Sequence, residues 1–449
     1  MFRRLSAVLR PASPAERDSG LGIVEVIVAL LVFALVTTGA IAAVATSLRL
    51  TADNRGREVA ANLAASEIDL ARSIKATQLG SRDFTSDPID GVVYTVRRDV
   101  TWATSTGVDS QCAGGAGAGS LFYKRVNVSV TWTGMRLATS AVRADTVVTP
   151  EGKVSSSSTG TILVSVKDAT GAGVRGTTVT IAPDSSVAGN KAEALELDSR
   201  PATTDATGCA FAINVTPGSY TITLSRADGV VYVDDKQATQ PVKTVTVGSG
   251  GSAAQSFAYA RADRYELVWP AGALRASDQP TTFRGASTSV LATAPVDVQY
   301  LWPVSSGYQV FAGAYAPGDP KSTSSCLSPD PTLWSPAADG RVGKPIATSV
   351  PDYRVGPVVS GVVVPVQAVT VPVTTGDRVV RATSATAAAA AGDPGCAART
   401  VLNFSLPANL SSAVIALPPG TWSFQSGKTV PTLKSGPAPQ LTVDPRTAP

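Results

Sequence analysis

The chain opens on a long apolar run and then changes period twice. From Val26 to Ala45 twenty residues carry no charge (VIVALLVFALVTTGAIAAVA), about the length an α-helix needs to cross the roughly 30 Å hydrocarbon core of a bilayer. Arg3, Arg4, Arg10 and Arg17 precede it, as expected of a segment held on the cytoplasmic side. One acid, Glu25, stands at the start of the run, where a carboxylate in lipid is costly and calls for a partner. From Ala52 to Ala76 the pattern turns amphipathic. Val59, Leu63, Leu70 and Ile74 fall near one face at spacings of four, seven and four, with Glu67, Asp69 and Arg72 elsewhere. Together the two stretches predict one helix from Leu21 to Ala76, about 84 Å long at 1.5 Å per residue. Thr37-Thr38-Gly39 and Gly56 are its soft points.

Beyond residue 90 the period shortens to two. Val92–Trp102 and Val126–Trp132 alternate over part of their length, and Val126, Val128, Val130 and Trp132 would share one face. A third strand near Thr139–Thr149 would complete a small antiparallel sheet under the helix, with Trp102 and Trp132 in its core. Thr149–Thr159 has linker composition. Residues 160–262 then alternate strand-like runs with Gly-rich and Pro-Gly turns, and 263–435 continue in strand composition with more frequent breaks. Pro419-Gly420-Thr421-Trp422 echoes Pro217-Gly218-Ser219-Tyr220, a tight turn feeding an aromatic-anchored strand. Ala387–Ala391, a low-complexity run, reads as either a short helix or disorder. Residues 436–449 read as a loose Pro-rich tail.

Composition narrows the function. Only 16% of the 449 residues are charged and the formal charge is +4, with signs interleaved, so no nucleic-acid footprint appears. There are no histidines, which removes Ser-His-Asp and Cys-His arrangements. Ser426-Gly427-Lys428-Thr429 imitates the end of a phosphate loop, but Gly420 stands at the wrong distance and no strand–loop–helix frame surrounds it. Asp234-Asp235 sits in a turn and reads as solvated. These absences point away from an enzyme, from cofactors and from metal. Cys112, Cys209, Cys326 and Cys396 are an even set in a chain that reads as exported, so disulfides are the default. Three connectivities are open. Cys326 with Cys396 is favoured because both lie in loops of one segment, and closing a loop of that size stabilises by about 4 kcal/mol in the chain-entropy model. Cys112 with Cys209 would follow.

The stretch Ser19-Gly20-Leu21-Gly22-Ile23-Val24-Glu25, with basic leader before and apolar helix after, resembles the processing site of type IV pilins and type II secretion pseudopilins. LAASEIDLAR within the predicted helix is similar to the helix of minor pilins. The resemblance implies cleavage by a prepilin peptidase after Gly20, methylation of Leu21, and pairing of Glu25 with the new amine of a neighbouring subunit. Leu21 replaces the family's usual Phe or Met, and Gly22 its frequent Thr. A secretory signal ending at Ala43-Val44-Ala45 is the rival reading, against which stand the length of the run and the position of Glu25.

Residues 160–262 resemble carboxypeptidase-regulatory-like and collagen-adhesin B-type repeats in the Thr204-Asp205…Gly208 turn and Pro217-Gly218-Ser219-Tyr220. That implies an immunoglobulin-like sandwich. Lys167 stands where some such repeats carry a cross-linking lysine, but no Asn lies in Val242–Val247 to complete the bond. The expected fold is therefore α+β. A leader (1–20) precedes a pilin-like helix and sheet (21–150, spanning the membrane over 21–46). A linker (151–159) leads to one or two sandwich domains (160–262 and 263–435). The expected function is a minor pilin or pseudopilin, anchored in the cytoplasmic membrane, whose partners are prepilin peptidase, other pilins and the membrane. The alternative is a tip or membrane-anchored adhesin that binds a surface ligand through 160–435.

Overall fold

The computed structural model describes residues 22–104, 112, 121–135, 141–150, 156–319, 322–354, 356–389, 391–435 and 440–446. The leader, with Gly20 and Leu21, lies outside the described residues, as do most of the glycine-rich loop after Cys112 and 151–155 of the linker. The architecture is α+β, one long N-terminal apolar helix followed by a largely β region. It divides into two compact units. The first gathers Met1–Leu70, Asp83–Arg98 and Asn127–Thr146, the second Ala71–Arg82, Asp99–Val126 and Val147–Pro449.

In the first unit helix α1 runs from Ile23 to Ser73, 51 residues and about 77 Å. Both expected soft points are helical. The Thr37 and Thr38 hydroxyls donate to the carbonyls of Phe33 and Ala34, one turn back, at 2.6 and 2.7 Å, so they are satisfied without leaving the helix. At Gly56 a Cβ would stand 2.8 Å from Trp132 Nε1. Glycine is needed there for the indole to lie against the helix.

The buried face of α1 is rotated by about one residue from the one its larger apolar side chains suggest. Ala60, Ala64, Glu67, Ile68 and Ala71 are buried, Leu70 is exposed, and Val59, Leu63 and Ile74 are half covered. Small alanines let the helix backbone approach closely, and the larger residues flank the seam. Glu67 lies in that seam rather than on the polar side. Arg98 Nη1 donates to its Oε1 at 2.8 Å, and both side chains are at most 5% exposed.

The strands β1 (Arg82–Thr85), β2 (Tyr94–Thr104), β3 (Leu121–Trp132) and β4 (Val142–Val148) form one sheet in the order β1-β2-β3-β4. Alternate residues Tyr94, Val96, Arg98, Val100 and Trp102 of β2 are buried, as are Val126, Val128, Val130 and Trp132 of β3. β1, with the sequence RDFT, is not signalled by any apolar alternation.

In the second unit β5 (Gly160–Lys167), β6 (Thr178–Pro183), β7 (Cys209–Val215) and β8 (Gly218–Ser225) carry a two-sheet sandwich. One sheet is Val242–Val247, β8, β6; the other is Ser252–Ala258, β5, β7, with Ser252–Ala258 parallel to β5. Ile162, Val164, Val166, Ile181, Tyr220, Ile222, Leu224 and Phe257 fill the space between them. Gly208 has φ +80°, and a Cβ there would meet the Val166 carbonyl at 2.0 Å. Only glycine fits that turn. Asp234 is buried, not solvated, and accepts from the backbone of Lys236 and Ala238 at 2.9 and 2.7 Å.

Residues 263–435, expected as one domain, hold two hydrophobic cores. Tyr265, Phe283, Leu301, Tyr308, Val310 and Val362 form the first. Val380, Leu402, Phe404, Ile415, Trp422 and Phe424 belong to the second. Frequent chain breaks across the first conceal the restart of the pattern near Gln367. Residues 440–446 are not a loose tail, because Leu441–Val443 pairs with Gly420–Gly427 and Arg446 is buried. The described part of Ala387–Ala391 forms no helix.

Replacing Glu67 with Ala leaves Arg98 buried without this carboxylate and should lower the stability of the first unit by about 3–5 kcal/mol. The loss is read by denaturant unfolding of the full chain in detergent, and Glu67→Leu with Arg98→Met should recover most of it. A loss under about 1 kcal/mol would show that the seam does not depend on the pair.

Candidate helix, groove and buried-charge sites

Among the described residues nothing buries the apolar half of α1. Ile23, Val24, Ile27, Leu30, Phe33, Leu35, Val36, Ile41 and Leu48 are all more than half exposed. The helix is long and apolar enough to cross a membrane, and none of its most apolar stretch is buried. Glu25 lies exposed in the first turn, where its N–H donates to the Gly22 carbonyl at 2.9 Å. The proposed cleavage pair Gly20 and Leu21 falls outside the described residues, which take in the motif from Gly22 to Glu25.

Where the apolar half ends, the first unit has a groove of about 770 Å³ between the Leu48–Val59 stretch of α1 and the sheet-side residues Ile89, Val92, Tyr94 and Trp132. Tyr94 and Trp132 lie with ring centroids 6.4 Å apart. Arg55 pairs with Asp90 at 2.8 Å, both well exposed, while Arg49 and Asp53 line the same groove with no ion-pair partner among the described residues.

The second unit buries two titratable groups that its strand alternation places inward. Lys124 has the same parity on β3 as Val126 and Val128, and its ammonium donates to the Leu79 carbonyl at 2.7 Å and lies 4.9 Å from the Trp102 ring. Burial pushes it down from 10.5 to about 7, against a smaller upward pull from Asp205. Asp263 is fully buried. Its Oδ2 accepts from the Tyr353 hydroxyl at 2.8 Å, and burial raises it to about 6, opposed by that hydrogen bond. The volume beside Lys124 is about 20 Å³, room for about one water.

The cysteines are paired. Cys112 and Cys209 are bonded with Cα atoms 5.6 Å apart, and Cys326 and Cys396 with Cα atoms 3.8 Å apart. The first disulfide lies among Trp102, Leu121, Leu163, Phe211 and Ile213. Asp205 fixes the approach to it, accepting from the backbone of Thr207 and Cys209 at 2.9 Å each. Lys167 donates to the Thr207 carbonyl at 3.0 Å. Among the described residues no group of three His, Cys, Asp or Glu side chains is placed to hold a metal ion.

No family model and no curated protein matches the chain. Seven solved chains do. One is the Bacillus anthracis TIE protein, 10% identical over 79% of this chain and 68% of that one, with a TM-score of 0.19. Another is a streptococcal ancillary pilin, 12% identical over 52% and 74%, with a TM-score of 0.21. The reading of the site rests on its own geometry.

Lys124 gives stability a defined pH dependence. Below about pH 7 both folded and unfolded chains hold the proton, and the folded state bears the full cost of burying it. Between about 7 and 10.5 the folded chain has released the proton while the unfolded chain keeps it, so stability rises with pH. Lys124→Met should be more stable than the parent at pH 6 and should lose that rise. An unchanged slope in denaturant titrations would show that Lys124 does not cause it.

Proposed function

We propose that the chain is a structural subunit of a type IV pilus or a type II secretion-like fibre, a minor pilin or pseudopilin anchored in the membrane by α1. In this reading prepilin peptidase cuts between Gly20 and Leu21, and Glu25 pairs with the methylated amine of a neighbouring subunit. No enzymatic step is required of it. The observation that carries the reading is the division of α1: its outer half docks on its own sheet through Ala60, Ala64 and Glu67, while its inner half, with Glu25, offers an uncovered apolar surface. A carboxylate at membrane depth gains most from an amine that only a neighbour can supply. The β-sandwich units would be displayed on the far side of the membrane.

An adhesin reading has one observation in its favour. On the sheet formed by Val298–Leu301, Asp263–Val268 and Val358–Val363, Tyr300 and Val358 both pair with Arg264, and Val268 pairs with Val363, so exposed apolar residues share one face. Tyr300→Glu with Val363→Glu should abolish attachment in that case and leave fibres intact. Unaltered attachment would remove the reading.

The first test is the N-terminus of protein from membranes and from sheared surface material. The expected result is Leu21 carrying one extra methyl group. Glu25→Val should remain in the membrane fraction and disappear from the sheared fraction. An N-terminus at Thr46 or an intact Met1 would sink the pilin reading.

A further inference from the structure

We infer that the groove beside Leu48–Val59 is a seat for the headgroup of an aminophospholipid of the membrane that α1 crosses. The inference rests on the membrane reading of α1. The helix is continuous from Ile23 to Ser73, so axial positions follow from the rise per residue. Counted from Ala45, Arg49 lies about 6 Å outward and Asp53 about 12 Å outward. The headgroup layer on each side of the hydrocarbon is roughly 5–8 Å deep. Arg49 therefore falls within it and Asp53 just beyond its outer edge.

In phosphatidylethanolamine the phosphate sits next to the glycerol and the ammonium lies two carbons further out. Going outward from the apolar run, the groove presents a guanidinium and then, one turn later, a carboxylate. Arg55 and Asp90, on the same groove, are occupied with each other, whereas Arg49 and Asp53 have no ion-pair partner among the described residues. Leu48 and Leu50, 66% and 48% exposed at the same level, would lie against the acyl–glycerol boundary. Tyr94 and Trp132 line the outer part of the same recess. A purely anionic lipid would meet Asp53 and Asp90 as well as the arginines, so the mixed walls favour the zwitterion.

The test uses the full chain reconstituted in phosphatidylcholine vesicles. These are doped in turn with phosphatidylethanolamine, phosphatidylcholine or phosphatidylglycerol carrying a nitroxide on the acyl chain beside the glycerol. Flotation is measured first, then tryptophan quenching of Leu48→Trp, a groove-lining position at the boundary, with the parent chain subtracted to isolate the introduced indole. Labelled phosphatidylethanolamine should quench that indole more than either other lipid, and Asp53→Asn, an exchange on the groove wall, should bring the ratio to phosphatidylcholine back to one. Equal quenching by all three lipids in chains that float overturns the inference and leaves the anchor standing. Stronger quenching by phosphatidylglycerol overturns it in favour of a plain basic patch. Failure to float overturns both the seat and the membrane reading.

Discussion

The structure depends on a single helix being asked to satisfy two solvents. Over Ile23–Ser47 α1 is left uncovered by the described residues, and over Ala60–Ala71 it is held on a sheet. The transition takes barely three turns and contains Arg49, Asp53, Arg55 and Gly56. Apolar side chains on every face of the first half make water the one environment it cannot tolerate. The second half buries chiefly alanine, which provides little hydrophobic area. Specific polar geometry must therefore fix the docking, and the Glu67–Arg98 pair supplies it. A buried ion pair is weak evidence of stabilisation, and a helix shifted by one residue would separate this carboxylate from this guanidinium.

The second unit meets a different constraint. Its strands are short and its turns numerous, so each sandwich encloses a modest core. The two disulfides lie where chain distant in sequence is brought together, across separations of 97 and 70 residues. Loops of that size are where a crosslink removes most entropy from the unfolded chain in the chain-entropy model. The Cys112–Cys209 bond sits in an apolar nest on the face of β7 turned away from the sandwich core, so burial and crosslink reinforce each other.

Much of this was legible in the residues. The apolar run and its continuation announced α1 to within a few positions, and alternation in Val126–Trp132 announced the buried face of β3. The seam of α1 departs from the stripe of larger apolar residues because close approach, not side-chain size, selects the contact. Val59, Leu63 and Leu70 look like a core stripe, yet Ala60 and Ala64 make the contact and Glu67 completes it. Strand parity could have revealed Arg98 and Lys124, which share the inward positions of their apolar neighbours. Charge argued the other way, and charge is a poor guide when a partner waits in the fold. Asp263 shares the inward parity of Tyr265 and Leu267 on its strand, and the hydroxyl that its carboxylate meets comes from Tyr353, ninety residues away. The groove was invisible, since its walls come from α1 and from two stretches distant in sequence, 89–94 and 132–134.

For the proposed assembly the balance of forces follows from the same helix. Lipid tails cover Ile23–Leu50 as well as another helix would, so leaving the membrane for a fibre gains nothing from hydrophobicity alone. What can favour protein neighbours is close packing and polar pairing. Thr37 and Thr38 are back-bonded to their own helix and present smooth surfaces, and Gly39, Ala40, Ala42 and Ala43 follow them directly. Small residues at that depth let a neighbouring backbone approach closely. Glu25 adds the term lipid cannot match, since a carboxylate without a partner in hydrocarbon is costly and a neighbour's amine relieves it. Assembly would therefore be driven by one charge at the end of the helix and by shape along its middle. That combination makes the correct axial register, and not general stickiness, the property under selection.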